Sequence, residues 1–148
     1  MNVFDTVIVG GGPAGYTAAL YCARAGLSAA VLETLYAGGQ MAATNRIENY
    51  PGFDEVDGFS LAQRMKEGAE RAGAVSYNTE VLELYLTETP KRIVTSSGEF
   101  SAHTVILATG AQPRRLGDAR EAEFTGRGLG YCATCDGMFY RGKTVVVA

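Results

Sequence analysis

Asp5–Gly15 reads DTVIVGGGPAG, and no other stretch limits the possible folds as strongly. Thr6–Val9 is a short, uncharged, β-branched run, the pattern of a strand buried on both faces. The glycines follow at once and match G-x-G-x-x-G at Gly10, Gly12 and Gly15. The first allows a tight turn, the second lets backbone approach a pyrophosphate, and the third lets a helix pack closely on the sheet. An alanine-rich helix is predicted from about Pro13 to Ala25, ended by Gly26. Its N-terminal amides and positive dipole end would face the phosphates. Ala29–Leu32 reads as the second strand. Glu33 stands at its end, where a carboxylate can accept hydrogen bonds from a ribose diol. A lone glycine motif is a weak signal. With strand, helix and acid all in place it predicts nucleotide binding, the bland alternative for Glu33 being a surface acid at a strand end.

The next segments fill out an α/β domain. Tyr36–Gly52 (YAGGQMAATNRIENYPG) has no clean period and reads as an ordered loop with a short helical turn. In DGFSLAQRMKEGAERAG, Ser60 and Gln63 suggest a capping box, and Leu61, Met65, Ala69 and Ala72 form one apolar face. Gly73 is the stop, and Val75–Tyr77 is expected as a third parallel strand. Val81–Glu88, Arg92–Ser96 and Glu99–Leu107 alternate and are joined by short turns, which predicts an antiparallel meander. Gln112–Gly130 is polar and glycine-rich and reads as an exit from the first domain, with Arg114 and Arg115 in a solvated linker. Thr144–Ala148 (TVVVA) is expected to be a strand, the entry to a second βαβ unit, so the chain reads as a fragment.

Tyr131–Tyr140 reads YCATCDGMFY. Cys132 and Cys135 are spaced to close and reopen a short disulfide, and a helix start there would favour thiolate. Metal knuckles share this spacing, but tetrahedral zinc needs two more ligands and only Cys22 and His103 remain. Cys22 falls on the apolar face of the first helix and reads as a small core residue. His103 is expected to be exposed. Tyr131, Phe139 and Tyr140 read as packing residues rather than a docking patch. A nucleotide fingerprint and a dithiol in one chain point to electron transfer between flavin and sulfur.

Composition narrows the classes. The 148 residues suffice for one domain with a substantial core, and 47 % hydrophobic content is ordinary for a globular chain. A net charge of −3 favours neither nucleic acid nor an acidic membrane. No apolar run reaches the roughly 18 residues needed to span a bilayer, and the N-terminus lacks a basic signal-peptide region. Three cysteines do not suggest a secreted disulfide framework, which leaves the cytoplasm as the default.

Taken together, GGGPAG with YTAALYCARAG, GGQ at 38–40, ENYPG at 48–52, ILATGA at 106–111 and YCATCDGMFYRGK resemble the N-terminal part of a bacterial-type, low-molecular-weight thioredoxin reductase. The resemblance covers essentially the whole chain. It implies a three-layer FAD-type Rossmann domain with a parallel sheet plus an antiparallel meander. Residues 1–112 would be the FAD-binding segment, and 113–148 the linker and truncated start of a domain for NADPH and the dithiol. It implies that Gly10, Gly12, Pro13 and Ala14 line the pyrophosphate beside Gly15, and that Glu33 holds the adenosine ribose. Gly39, Gln40 and Asn49 would approach the flavin, Val81 the adenine, and Ala108, Thr109 and Gly110 would close over the cofactor. Cys132 and Cys135 would form the redox disulfide, with Asp136 as proton donor and acceptor beside it. The implied enzyme is a homodimeric, cytoplasmic flavoprotein oxidoreductase that passes electrons from NADPH through FAD and the disulfide to thioredoxin. Relatives with the same CATC segment use ferredoxin as donor or a peroxiredoxin as acceptor. A non-catalytic nucleotide-binding fragment is the reading from another class.

Overall fold

In the computed structural model, residues 3–34 and 36–148 are described, Thr134 and Cys135 by backbone only. The chain divides into two compact units, Met1–Gly110 and Ala111–Ala148.

The first unit starts with β1 (Val3–Val9), α1 (Pro13–Arg24) and β2 (Ala29–Glu33), then α2 (Gly58–Arg71) and β3 (Val75–Asn78). β1, β2 and β3 pair in parallel, as the alternation of apolar runs with helical periods requires. A 3-10 turn at Gly39–Ala43 supplies the short helical turn expected in the Tyr36–Gly52 loop. α2 differs from expectation at its start. Its cap is Asp57, whose Oδ1 accepts the Ser60 N–H at 2.8 Å, not a box of Ser60 with Gln63. A carboxylate three residues upstream satisfies the orphan amide first, which places Ser60 inside the first turn. Its buried face is Leu61, Ala62 and Ala69, with Met65 half-buried beside them.

β4 (Val81–Tyr85), β5 (Lys91–Thr95) and β6 (Gly98–Leu107) form the antiparallel meander, β4 ending earlier than expected. The last strand is shared. Residues 98–102 pair with β5, while residues 101–107 pair in parallel with β1, giving the order β3-β2-β1-β6-β5-β4.

Strand residues alternate between two cores. Ile8 and Val31 face α1 and α2, where they meet Tyr16, Ala19, Ala62 and Ala69. Val7, Ala30 and Leu32 face the other way and meet Ile93 and Ala102 of the meander. Tyr77 on β3 and Phe100 on β6 have ring centroids 4.9 Å apart, although β2 and β1 lie between their strands. Strands are spaced about 4.8 Å apart, so a flat sheet would hold these two roughly 14 Å from one another. The first half of β6 therefore curls across the back of the sheet and carries the meander with it. Helices, parallel sheet and meander make the expected three layers.

The second unit holds α3 (Glu121–Phe124), α4 (Ala133–Asp136) and a 3-10 turn at Gly137–Tyr140. α3 lies inside the stretch read as a plain linker, and Arg114 and Arg115 are exposed. Thr144–Ala148 is not a strand, and Val146 and Val147 are over 90 % exposed. An apolar run becomes a strand only where a neighbour takes its backbone hydrogen bonds, and no such neighbour lies among the described residues. Phe139 is likewise 77 % exposed rather than packed.

Candidate functional site

The C-terminal ends of β1, β2 and β6 build one site around the glycine turn. β1 stops at Val9 and the chain reverses at Gly10, whose φ is +105°. Its N–H donates to the Leu32 carbonyl at 2.8 Å. A Cβ at Gly10 would lie 2.3 Å from the Ala108 carbonyl oxygen. A Cβ at Gly15 would lie 1.9 Å from the Gly10 carbonyl oxygen, so α1 seats directly on the turn. Gly12 differs, because a Cβ there would meet open space. Backbone at this point is available to a ligand.

Gly12 also caps α1, with no side-chain cap and Pro13 opening the helix. No acid lies in the first turn, so the positive end of the helix is not neutralised from within. The Tyr16 N–H already bonds the Gly12 carbonyl at 3.0 Å, which leaves the Ala14 and Gly15 amides directed at the region where a phosphate would sit.

Glu33 is held against this turn. Its Oε2 accepts the Gly11 N–H at 2.7 Å, and its Oε1 accepts the Thr34 N–H at 2.7 Å. Each carboxylate oxygen has a second lone pair, so the fixed carboxylate can still accept from two ribose hydroxyls. The Thr79 N–H donates to the Glu33 carbonyl at 2.9 Å, which brings the start of β4 and half-buried Val81 to the same end of the sheet.

Two more segments close on the turn. The Gly38 N–H donates to the Gly11 carbonyl at 2.7 Å, and a Cβ at Gly39 would lie 3.9 Å from the Gly12 Cα, an ordinary contact distance. The Ala108 N–H donates to the Val9 carbonyl at 2.8 Å, carrying Thr109 and Gly110 past the turn, the latter with φ of +69°. Gln40 lies in the 3-10 turn and Asn49 in the loop beyond it, both exposed. The structure thus gathers Gly10, Gly12, Pro13, Ala14, Gly15, Glu33, Gly39 and Ala108, while Gln40 and Asn49 share only the loop. β1 is flanked by β2 on one side and β6 on the other, so the gathered residues sit where strand order reverses. Open α/β sheets bind ligands at such a point. An open Gly12 backbone, an uncapped helix start and a fixed acid fit the pyrophosphate and ribose of a dinucleotide such as FAD.

The second unit holds the CATC segment. Cys132 is disulfide-bonded, whereas Cys22 is free, half-buried and packed on the helix-side core. The side chain of Cys135 falls outside the described residues. The Asp136 N–H donates to the Cys132 carbonyl at 2.9 Å and forms the turn of α4. The Asp136 side chain makes no hydrogen bond that caps the following 3-10 turn.

Two residues here were not singled out in the sequence. A Cβ at Gly130 would lie 2.5 Å from Asp136 Oδ2, so this glycine makes the space the carboxylate occupies. Glu121 is only 5 % exposed and accepts the Tyr131 phenol and the Gly117 N–H, the latter at 2.9 Å. Neither has a local signature, since both meet their partners across a loop. Among the described residues no cluster could hold a metal ion, and no helix is long and apolar enough to cross a membrane.

Comparisons with known proteins show similarity over nearly the whole chain. The chain is 43% identical to thioredoxin reductase of Listeria innocua over 146 residues, 99% of this chain and 46% of that protein. It is 43% identical to thioredoxin reductase of Bacillus subtilis over the same shares. The solved thioredoxin reductase of Streptococcus pyogenes superposes with a TM-score of 0.82 at 45% identity, over 93% of this chain and 45% of that one. The chain therefore spans about half the length of the relatives it matches. Residues 4–148, from the first strand through the CATC turn, match the family described as pyridine nucleotide-disulphide oxidoreductase. With the glycine turn, the fixed acid and the disulfide-bonded cysteine all inside that match, the chain belongs to the pyridine nucleotide-disulphide oxidoreductase family.

Proposed function

We propose that this chain supplies the flavin-binding segment and the redox dithiol of a thioredoxin reductase. The carrying observation is the pairing, in one chain, of the cradle around Gly12 and Glu33 with a disulfide-bonded Cys132 in a CATC turn. Likeness to thioredoxin reductases over nearly the whole chain supports the same reading.

FAD, when bound, would pass two electrons from a reduced nicotinamide to the disulfide. The chain's own residues would do the rest. The Ala14 and Gly15 amides at the start of α1 hold the pyrophosphate with Gly10, Gly12 and Pro13, and Glu33 holds the ribose. Val81 borders the adenine, and Gly39, Gln40, Asn49, Ala108, Thr109 and Gly110 border the flavin. Reduction of Cys132–Cys135 breaks the S–S bond and takes up two electrons and two protons, one of them delivered by Asp136. The dithiol then attacks the disulfide of a thioredoxin. A mixed disulfide forms, the second thiolate resolves it, and reduced thioredoxin leaves. The complete protein is read as a cytoplasmic homodimer using NADPH.

The test is turnover by the complete protein that carries this chain, with NADPH and oxidised thioredoxin. Thioredoxin reduction is expected, and Cys135→Ser is expected to abolish it while the yellow flavin spectrum persists. Full activity in that variant would sink the proposal. Activity with a ferredoxin or a peroxiredoxin in place of NADPH or thioredoxin would keep the dithiol role and change the partners.

A further inference from the structure

Glu121 is a buried carboxylate in a unit whose other described residues are half-buried or exposed. Such a group is costly unless its oxygens are satisfied, and both are. Oε2 accepts the Gly117 N–H at 2.9 Å and Oε1 accepts the Tyr131 hydroxyl. Its own carbonyl accepts the Thr125 hydroxyl at 2.7 Å and the Thr125 N–H at 3.0 Å. One residue therefore ties the loop before α3, the turn after it and the residue that enters the CATC turn. Tyr131 directly precedes Cys132, and the Cys132 carbonyl receives the Asp136 N–H that closes α4.

We propose that Glu121 is a positioning residue for the dithiol. Through Tyr131 it holds the Cys132 backbone in the conformation in which the disulfide closes. This rests on the reading of Cys132 and Cys135 as an exchanging pair. A hydrogen bond that fixes one cysteine raises the effective concentration of the two thiols toward each other. Without it, the exchange equilibrium moves toward the open dithiol. In that exchange the S–S bond of the protein breaks, two electrons and two protons come from a small dithiol reductant, and the reductant closes to its cyclic disulfide.

The experiment equilibrates the full chain with graded ratios of reduced and oxidised dithiothreitol. Samples are quenched in acid, alkylated and weighed by mass spectrometry, and thermal melts are run in parallel. Tyr131→Phe keeps the ring and removes only the hydroxyl. It is expected to shift the equilibrium constant about three- to tenfold toward the dithiol, the range for one hydrogen bond to a charged group partly retained in the reduced state. Glu121→Ala should shift it in the same direction. Glu121→Gln, whose amide oxygen can still accept the phenol hydrogen, should recover most of the loss, and Tyr131→Phe should shift the exchange constant while its melting temperature stays near wild type, a split that a merely structural role would not produce. If the wild-type chain cycles reversibly and Tyr131→Phe stays within twofold of it, the positioning role is overturned. If the wild-type pair does not cycle at all, the dithiol reading fails and the positioning role fails with it.

Discussion

Glu33 Oε2 accepts the backbone N–H of Gly11 at 2.7 Å, joining the end of the second strand to the middle of the glycine turn. The carboxylate thus shapes the turn, and the proposed function gives it a second role toward a ribose. Glu33→Ala removes both roles. It is expected to weaken FAD binding about tenfold or more, from the roughly 1.5–3 kcal/mol of a hydrogen bond to a charged group. Flavin fluorescence titration of the two chains checks this, and equal affinities would remove Glu33 from the site.

Gly10 and Gly26 both have positive φ, +105° and +80°, but only Gly10 has backbone in the space of a side chain. Gly10→Ala should cost more than the ~1–3 kcal/mol of backbone strain alone, because the Ala108 carbonyl must also move. Gly26→Ala should cost no more than that strain. Urea denaturation of the two variants separates close approach from conformational freedom, and equal midpoints would contradict the distinction.

The space that Gly130 leaves for Asp136 gives a second way to address the acid. Asp136→Asn is expected to slow reduction of the disulfide in the complete flavin-loaded protein by about 10²-fold, the lower range for a lost general acid. Gly130→Ala should slow it in the same direction without touching a titratable group. Rapid-mixing absorbance measures the step, and an unchanged rate in Asp136→Asn would end the acid–base role.

Asp57 is held below the ordinary 3.8 by the Ser60 N–H and hydroxyl. A folded-state pKa lower than the unfolded one adds stability above the unfolded value, and that stability is lost as pH falls through the folded value. The contribution should be complete at neutral pH and fade below about pH 4. Asp57→Asn keeps an acceptor for the cap but does not titrate, so its acid denaturation limb should be shallower than that of wild type. Identical slopes between pH 5 and pH 2 would show that the cap carboxylate is not linked to folding.

The Tyr77–Phe100 contact is the signature of the meander lying on the back of the sheet. Replacing each by leucine, singly and together, should reveal a coupling of about 0.5–1.5 kcal/mol in chemical denaturation. Strict additivity would mean that the two rings do not meet in solution.

The local patterns are written in the order of residues. The β-branched run into GGGPAG, the alanine-rich helix and the acid at the end of the next strand follow the periods of strand and helix, so the βαβ unit and its glycine turn are legible residue by residue. The CATC spacing is equally local. Tertiary structure alone decided the rest. It left Thr144–Ala148 out of any sheet, because an apolar run needs a neighbour to become a strand. It brought β6 beside β1 and curled Phe100 onto Tyr77. It buried Glu121 against Tyr131 and used Gly130 to seat Asp136. These are contacts between residues whose spacing carries no period, so only the path of the folded chain brings them together.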